Sequence, residues 1–288
     1  MLIAQLTDLH VRAEPDGAKY GIDAAAQLAA AVERVNGCSR APDLVLVTGD
    51  LADEGTDDEL ARVASLLARL DAPCRVLPGN HDTRDGMRRA FADHDYLPAS
   101  GHLSWVDDGW PLRVVGLDTT VPGHHHGELD PDRLAWLDEV LSARPDQATL
   151  VAMHHPPFDS GLWWMDRQGL LAGRRELRAL LGRHRQVVRV VCGHQHRAVQ
   201  AAWGSVTLSI CPSTWSQHVL DLVPESPPRG LPEPGSFQLH QWDGDVLVTH
   251  TEHVVPQAAT VDFTETWASD WERMKVGLRA NAERPAVG

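Results

Sequence analysis

Short runs of consecutive apolar residues punctuate the chain. Leu2–Thr7, Leu44–Thr48 and Arg75–Leu77 have the length and texture of strands buried on both faces. Between them, Ile22–Val35 is alanine-rich and sets Leu28, Ala31, Val32 and Val35 at helical spacing. Thr56-Asp57-Asp58-Glu59 has the form of a capping box opening onto Leu60, Val63, Leu66, Leu67 and Leu70. This strand–helix–strand rhythm predicts a parallel sheet with helices outside it.

Further on, Leu103–Val106 and Leu112–Leu117 read as a strand pair. Asp130-Pro131 starts a helix through Leu134, Leu137, Val140 and Leu141, with aspartate as N-cap and proline at the first helical position. Leu150–Met153 and Val187–Cys192 read as strands flanking a helix around Arg174–Arg183. Beyond Gly204 the texture turns to strands at Val206–Ile210, Phe237–Trp242 and Val246–Thr251, the last two joined by the hairpin signal Asp243-Gly244. Val223–Gly235 holds five prolines and reads as a loop. Trp267 and Trp271 stand four apart, as on one helix face, and the tail from Ala280 is expected to fray.

At 288 residues the chain is long enough for one large α/β domain. Five short motifs run without an intervening linker from residue 8 to residue 196. A net charge of −14 disfavours nonspecific binding to nucleic acid or anionic membrane. A small anionic substrate then needs a local positive centre, which metal ions provide. No charged-then-apolar leader and no membrane-length apolar run occurs. Cys38, Cys74, Cys192 and Cys211 lack C-x-x-C spacing, which reads as reduced thiols in a cytoplasmic protein.

The motifs are Asp8-Leu9-His10, Gly49-Asp50, Gly79-Asn80-His81-Asp82, His154-His155 and Gly193-His194-Gln195-His196. Each follows directly on a predicted strand, and open α/β sheets place ligands beyond the carboxyl ends of their strands. In Asp8-x-His10 and His194-x-His196, extended backbone would point both side chains of a pair the same way. Gly49, Gly79 and Gly193 precede candidate ligands, where a missing Cβ permits a tight turn or close backbone approach. Mixed imidazole and carboxylate donors suit zinc, iron, manganese or cobalt better than calcium.

This ordered set resembles the calcineurin-like metallophosphoesterase family. Leu2–His10, Lys19-Tyr20-Gly21, Gly79–Asp82, His154-His155-Pro156-Pro157 and Cys192–His196 look most like its bacterial class III cyclic-nucleotide phosphodiesterases and glycerophosphodiesterases, over roughly the first 220 residues. The resemblance implies an α/β fold, a four-layer α-β-β-α sandwich over residues 1–255. Residues 256–288 would form a C-terminal extension packed on the domain or on a neighbouring subunit. It also implies a homo-oligomer. One metal ion would be held by Asp8, His10, Asp50 and His196, and a second by Asp50, Asn80, His154 and His194, with Asp50 bridging. A metal-bridging hydroxide would then attack a small phosphodiester in line, a 3′,5′-cyclic nucleotide or a glycerophosphodiester. A phosphomonoesterase or phosphonate monoester hydrolase of the same superfamily is the alternative, and a non-catalytic scaffold a further one. A polymeric nucleic acid substrate and a membrane partner are not expected.

His81 adjoins Asn80 yet is surplus to both coordination sets, and is the candidate to stabilise phosphate charge or protonate the leaving alkoxide. Asp82 would orient His81 or a ligand. His155 reads as ligand support or as packing. His125, within the run His124-His125-His126, and Trp163, Trp164 and His218 are the candidate substrate contacts; Trp215 invites the same reading or core packing.

Overall fold

The computed structural model describes residues 1–13, 18–231, 233–255 and 271–282. The chain runs β1 (Leu2–Leu6), α1 (Ala24–Asn36), β2 (Leu44–Thr48), α2 (Asp57–Leu67), β3 (Cys74–Leu77), α3 (Arg84–Ala90), β4 (Trp105–Asp107), β5 (Arg113–Leu117), β6 (Gly127–Glu128) and α4 (Pro131–Ser142). It continues through β7 (Thr149–Met153), α5 (Trp163–Asp166), β8 (Leu170–Ala172), α6 (Arg174–Leu181), β9 (Val187–Cys192), β10 (Val199–Trp203) and β11 (Val206–Ile210). The last strands are β12 (Gln217–His218), β13 (Gly230–Leu231), β14 (Ser236–Trp242) and β15 (Leu247–His253). Contacts divide the chain into two compact units, Met1–Val254 and Val255–Gly288. In the second, a helix spans Trp271–Ala282 with Trp271, Met274 and Leu278 exposed. The tail expected to fray from Ala280 lies outside the described residues beyond Ala282, as does Trp267.

Beside two short ribbons, β6-β8 and β12-β13, two mixed sheets form the body of the first unit. One is ordered β15-β14-β1-β2-β3, with β1, β2 and β3 parallel; the other is ordered β10-β11-β9-β7-β5-β4. Alternation along each strand explains why these runs are continuously apolar. In β2, Val45 and Val47 pack with Leu28 and Val32 of α1 and Leu60 and Val63 of α2. Leu44 and Leu46 point the other way, joining Ile3 and Leu77 against Leu150, Ala152 and Val191 of the second sheet. In β7, Val151 and Met153 face Leu137 and Leu141 of α4 and Leu177 and Leu181 of α6. Three apolar layers thus lie between helices, sheet, sheet and helices, which is the four-layer sandwich.

The local signals act as the residue types predict. The Thr56 side chain accepts from the Glu59 amide while the Glu59 carboxylate accepts from Thr56, and Asp130 caps α4 with Pro131 in its first turn. The Asp243-Gly244 turn joins β14 to β15, pairing Trp242 with Leu247. In the proline-rich segment, Gly230–Leu231 departs from the expected loop and pairs with Gln217–His218. Among the described residues no helix is long and apolar enough to cross a membrane, and the four cysteines are free thiols.

Candidate metal centre

The five motifs meet at the carboxyl ends of β1, β2, β3, β7 and β9, on one edge of the paired sheets. Their backbone differs from the extended geometry expected of Asp-x-His and His-x-His. Asp8, His10, Asp50, His194 and His196 all take positive φ, between 45° and 74°. The chain therefore turns sharply off each strand, and tertiary hydrogen bonds hold the turns. The amides of Asp8 and His10 donate to the carbonyls of Gly49 and Asp50 at 3.0 Å. The His194 amide donates to the Asp8 carboxylate at 2.9 Å, and the Ser213 hydroxyl to the Asp8 carbonyl at 2.8 Å.

Glycines let these turns nest. A Cβ on Gly79 would overlap the Asp50 amide and carboxylate, and one on Gly193 would overlap the Thr7 hydroxyl. Asp82 locks the nest from beneath. Its carboxylate accepts from the amides of Leu51, Ala52 and Gly79 at 2.9–3.1 Å. Of its two expected roles it takes the second, fixing the loop of Asp50, whereas His81 is held by the Asp53 carbonyl, 2.6 Å from its Nδ1.

Ring nitrogens and carboxylate oxygens face one another at the centre. His154 Nδ1 donates to the Thr48 carbonyl and His196 Nδ1 to the Ser216 carbonyl, both at 2.8 Å, which turns each Nε2 inward. His196 Nε2 lies 3.1 Å from His10 Nε2 and 3.4 Å from Asp8 Oδ1. His154 Nε2 lies 3.4 Å from Asp50 Oδ2 and 3.2 Å from Asn80 Oδ1, which is itself 3.0 Å from His194 Nδ1. Asp50 Oδ2 is also 3.7 Å from His10 Nε2, so one carboxylate adjoins both groups. Donors held ~2.0–2.1 Å from one ion sit roughly 3 Å from each other, which is the spacing here.

The electrostatics agree. Burial opposes charge on His154, yet Asp50 and then Asp8 outweigh it and push the imidazole up to about 9, so that without an ion Nε2 carries a proton toward Asp50, which a bound metal would replace. Asp50 moves well below the usual carboxylate range: burial opposes this, but His154 and His81 prevail. Two buried carboxylates thus call for positive charge in a space walled by imidazoles. His10 Nδ1 and His194 Nε2 are buried without a hydrogen-bond partner.

Around the centre lies a cleft of about 230 Å³ whose walls include His81, His125, Trp164, Trp215 and His218. Three of the four expected substrate contacts are there. Trp163 is not among the lining residues; its ring lies beneath the Arg167 guanidinium instead. His125 reaches the Asn80 amide at 3.2 Å, whereas His126 turns to Glu128. His155 has both ring nitrogens engaged, Nδ1 with the Thr119 hydroxyl at 2.8 Å and Nε2 with the His125 carbonyl at 3.1 Å. It supports the His125 loop.

Sequence reasoning missed Asp53. Its buried carboxylate accepts from Arg12 at 2.6 Å and Lys19 at 3.0 Å and faces His10 Nδ1 at 3.6 Å. Its position three residues after Asp50 was the available signal, since that loop must return beneath the centre.

The chain belongs to the calcineurin-like phosphoesterase family, whose model matches residues 1–198. It is 35% identical over 255 residues to a probable glycerophosphodiester phosphodiesterase of Arcobacter nitrofigilis, covering 88% of this chain and 93% of that one. It is also 35% identical over 258 residues to a probable cyclic nucleotide phosphodiesterase of Rhodopseudomonas palustris, covering 87% and 91%. A 3′,5′-cyclic adenosine monophosphate phosphodiesterase of Pseudomonas aeruginosa is 37% identical over 218 residues, covering 75% and 77%. Among solved structures, a dimetal phosphatase from Danio rerio shares the fold with a TM-score of 0.65 at 16% identity, covering 88% of this chain and 96% of that one.

Proposed function

We propose that the protein is a dinuclear-metal phosphodiesterase acting on small phosphodiesters of the cyclic-nucleotide or glycerophosphodiester class. The carrying observation is the pair of donor groups that meet at Asp50. Asp8, His10 and His196 lie to one side, with Asn80, His154 and His194 to the other, at mutual distances suited to ligands of a shared ion. Imidazoles whose Nδ1–H groups are already committed to carbonyls, with Nε2 turned to buried carboxylates, fit divalent zinc, iron, manganese or cobalt. When bound, two such ions activate water and stabilise charge on the attacking and leaving oxygens.

The chain's own residues supply the rest. Asp50 and Asp8 balance positive charge at the centre. His81, held through Nδ1 by the Asp53 carbonyl, directs Nε2 to the leaving oxygen and passes it a proton. His125, next to Asn80, borders the phosphoryl group, while Trp164 and Trp215 shield the cleft from water. The −14 charge, with the cleft's lysine, Lys19, already paired to Asp53, supports small diesters over polymeric nucleic acid.

The test is metal analysis with turnover. About two equivalents of metal per chain and faster hydrolysis of bis(p-nitrophenyl) phosphate than of p-nitrophenyl phosphate are expected. A preference for the monoester would make the protein a phosphomonoesterase, and loaded protein that cleaves neither would make it a scaffold. The homo-oligomer and the C-terminal extension at 256–288 belong to the same proposal, and light scattering of the full chain checks the first.

A further inference from the structure

Beside the metal cleft lies a second cavity of about 380 Å³, lined by Tyr20, Ile22, Ser216, His218, Arg229 and Leu231 among others. His218 lines both spaces. One wall is the turn Lys19–Ile22, closed by the Ile22 amide donating to the Lys19 carbonyl at 3.1 Å. The other is the short ribbon of β12 and β13, which pairs His218 with Gly230.

The turn is unusual in what it carries. Tyr20 and Gly21 have φ of 57° and 79°, the type I′ geometry that favours glycine, asparagine or aspartate at both central positions. A tyrosine there is strained, and burial does not compensate it, since Tyr20 is 84% exposed. Its ring instead lies nearly parallel to Trp215, at 29° and 6.2 Å between centroids, at the junction of cavity and cleft. Lys19 anchors the turn through its ion pair with Asp53. The fold thus holds an aromatic face toward a cavity, at a position that folding alone would give to another residue.

The walls decide what would enter. Ile22, Leu231 and the Tyr20 ring are apolar; Ser216, His218 and Arg229 are polar, but His218 Nδ1 is held by the Gln195 carbonyl at 3.1 Å and Arg229 pairs with Asp221 at 2.6 Å. A glycerol arm would bury hydroxyls against aliphatic surface with few partners. A flat ring would stack on Tyr20 and leave its edge to the three polar side chains.

We propose that this cavity is a subsite for the arm of the diester, and that it selects a planar heteroaromatic arm of the nucleobase type over a glycerol arm. The inference rests on the phosphodiesterase reading above and narrows it. Tyr20 is a specificity residue here, with no part in bond cleavage.

Three variants and two measurements test it. Tyr20→Asn suits the turn and should keep or raise Tm, yet lower the ratio of kcat/KM for 3′,5′-cyclic AMP to that for glycerophosphoethanolamine about tenfold, through KM. Tyr20→Phe keeps the ring and should hold the ratio. Leu231→Asp should lower it as Tyr20→Asn does. Independently of turnover, adenosine added to metal-stripped protein should show saturation transfer to its base protons, lost in Tyr20→Asn and kept in Tyr20→Phe. An unchanged ratio in Tyr20→Asn, or wild-type protein that gives no transfer to adenosine, overturns the subsite. Adenosine binding that depends on Tyr20, in a metal-loaded protein that cleaves no diester, would instead retain the subsite and discard the phosphodiesterase reading.

Discussion

Among the described residues seven non-glycine ones take positive φ, and five of them are Asp8, His10, Asp50, His194 and His196. Each costs roughly 1–2 kcal/mol, and each persists because neighbouring loops fix it, as the Gly49 and Asp50 carbonyls fix Asp8 and His10. In the proposed assignment Asp50 is the residue both ions share. Asp50→Ala should therefore bind less than the wild-type metal, by elemental analysis, with an unchanged far-UV circular dichroism spectrum; full metal content would remove Asp50 as the bridge. His81 is assigned to the proton instead. His81→Ala should lower kcat on the order of 10²–10⁴-fold for an alkyl leaving group and far less for nitrophenolate, with metal content kept. Equal losses would make His81 a phosphate-positioning group. The side chains at this scale were legible because ligand chemistry resides in residue type. The carbonyls of Thr48, Ser216 and Asp53 that orient His154, His196 and His81 were not, because a backbone oxygen has no sequence signature. The extended geometry expected at Asp8 and His194 failed for a related reason: tertiary hydrogen bonds, not residue type, set those φ angles.

Between elements, His155 shows what one side chain does for a loop. It leaves the end of β7, takes the Thr119 hydroxyl on Nδ1, and donates through Nε2 to the carbonyl of His125. Burial and then His154 depress its pKa well below the usual histidine range, consistent with a neutral ring making one donation and one acceptance. His155→Leu would roughly keep the volume and strand both partners, costing about 1–3 kcal/mol and lowering Tm by about 2–10 °C. It should also raise KM, because His125 loses its tether, while metal content stays constant. An unchanged Tm would reduce His155 to packing. The principal strands were readable as apolar runs because both faces of β1, β2 and β7 are buried. The two-residue strands β6, β12 and β13 were not, since so short a pairing has no periodicity. Val199–Trp203 escaped notice as well: its residues are half-buried or exposed, and its partner β11 sets its conformation.

Across the whole molecule, the two sheets are joined by apolar packing and by a polar chain near β14. Gln5 of β1 donates to the Cys192 carbonyl of β9 at 3.0 Å and accepts from His240 Nε2 at 3.0 Å. His240 Nδ1 in turn contacts the Thr249 hydroxyl at 2.8 Å, and that hydroxyl also accepts from Arg189. His240 is fully buried, and burial, with Arg189 adding to it, pushes its pKa down to about 3. The unfolded chain therefore binds a proton at this residue near 6.5, whereas the folded chain binds one only near 3. Its contribution to stability is fully present above pH 6.5 and is lost as pH falls from there toward 3. Within that window, this one group should add a slope on the order of 1 kcal/mol per pH unit. Urea unfolding of metal-stripped protein at pH 7, 6 and 5 should show stability falling with pH. His240→Gln retains a donor and an acceptor but cannot titrate, so its slope should be shallower by about that amount. Equal slopes in the two proteins would mean that His240 gains its proton without opening the sheets, and the acid sensitivity would then belong to the histidines of the metal centre.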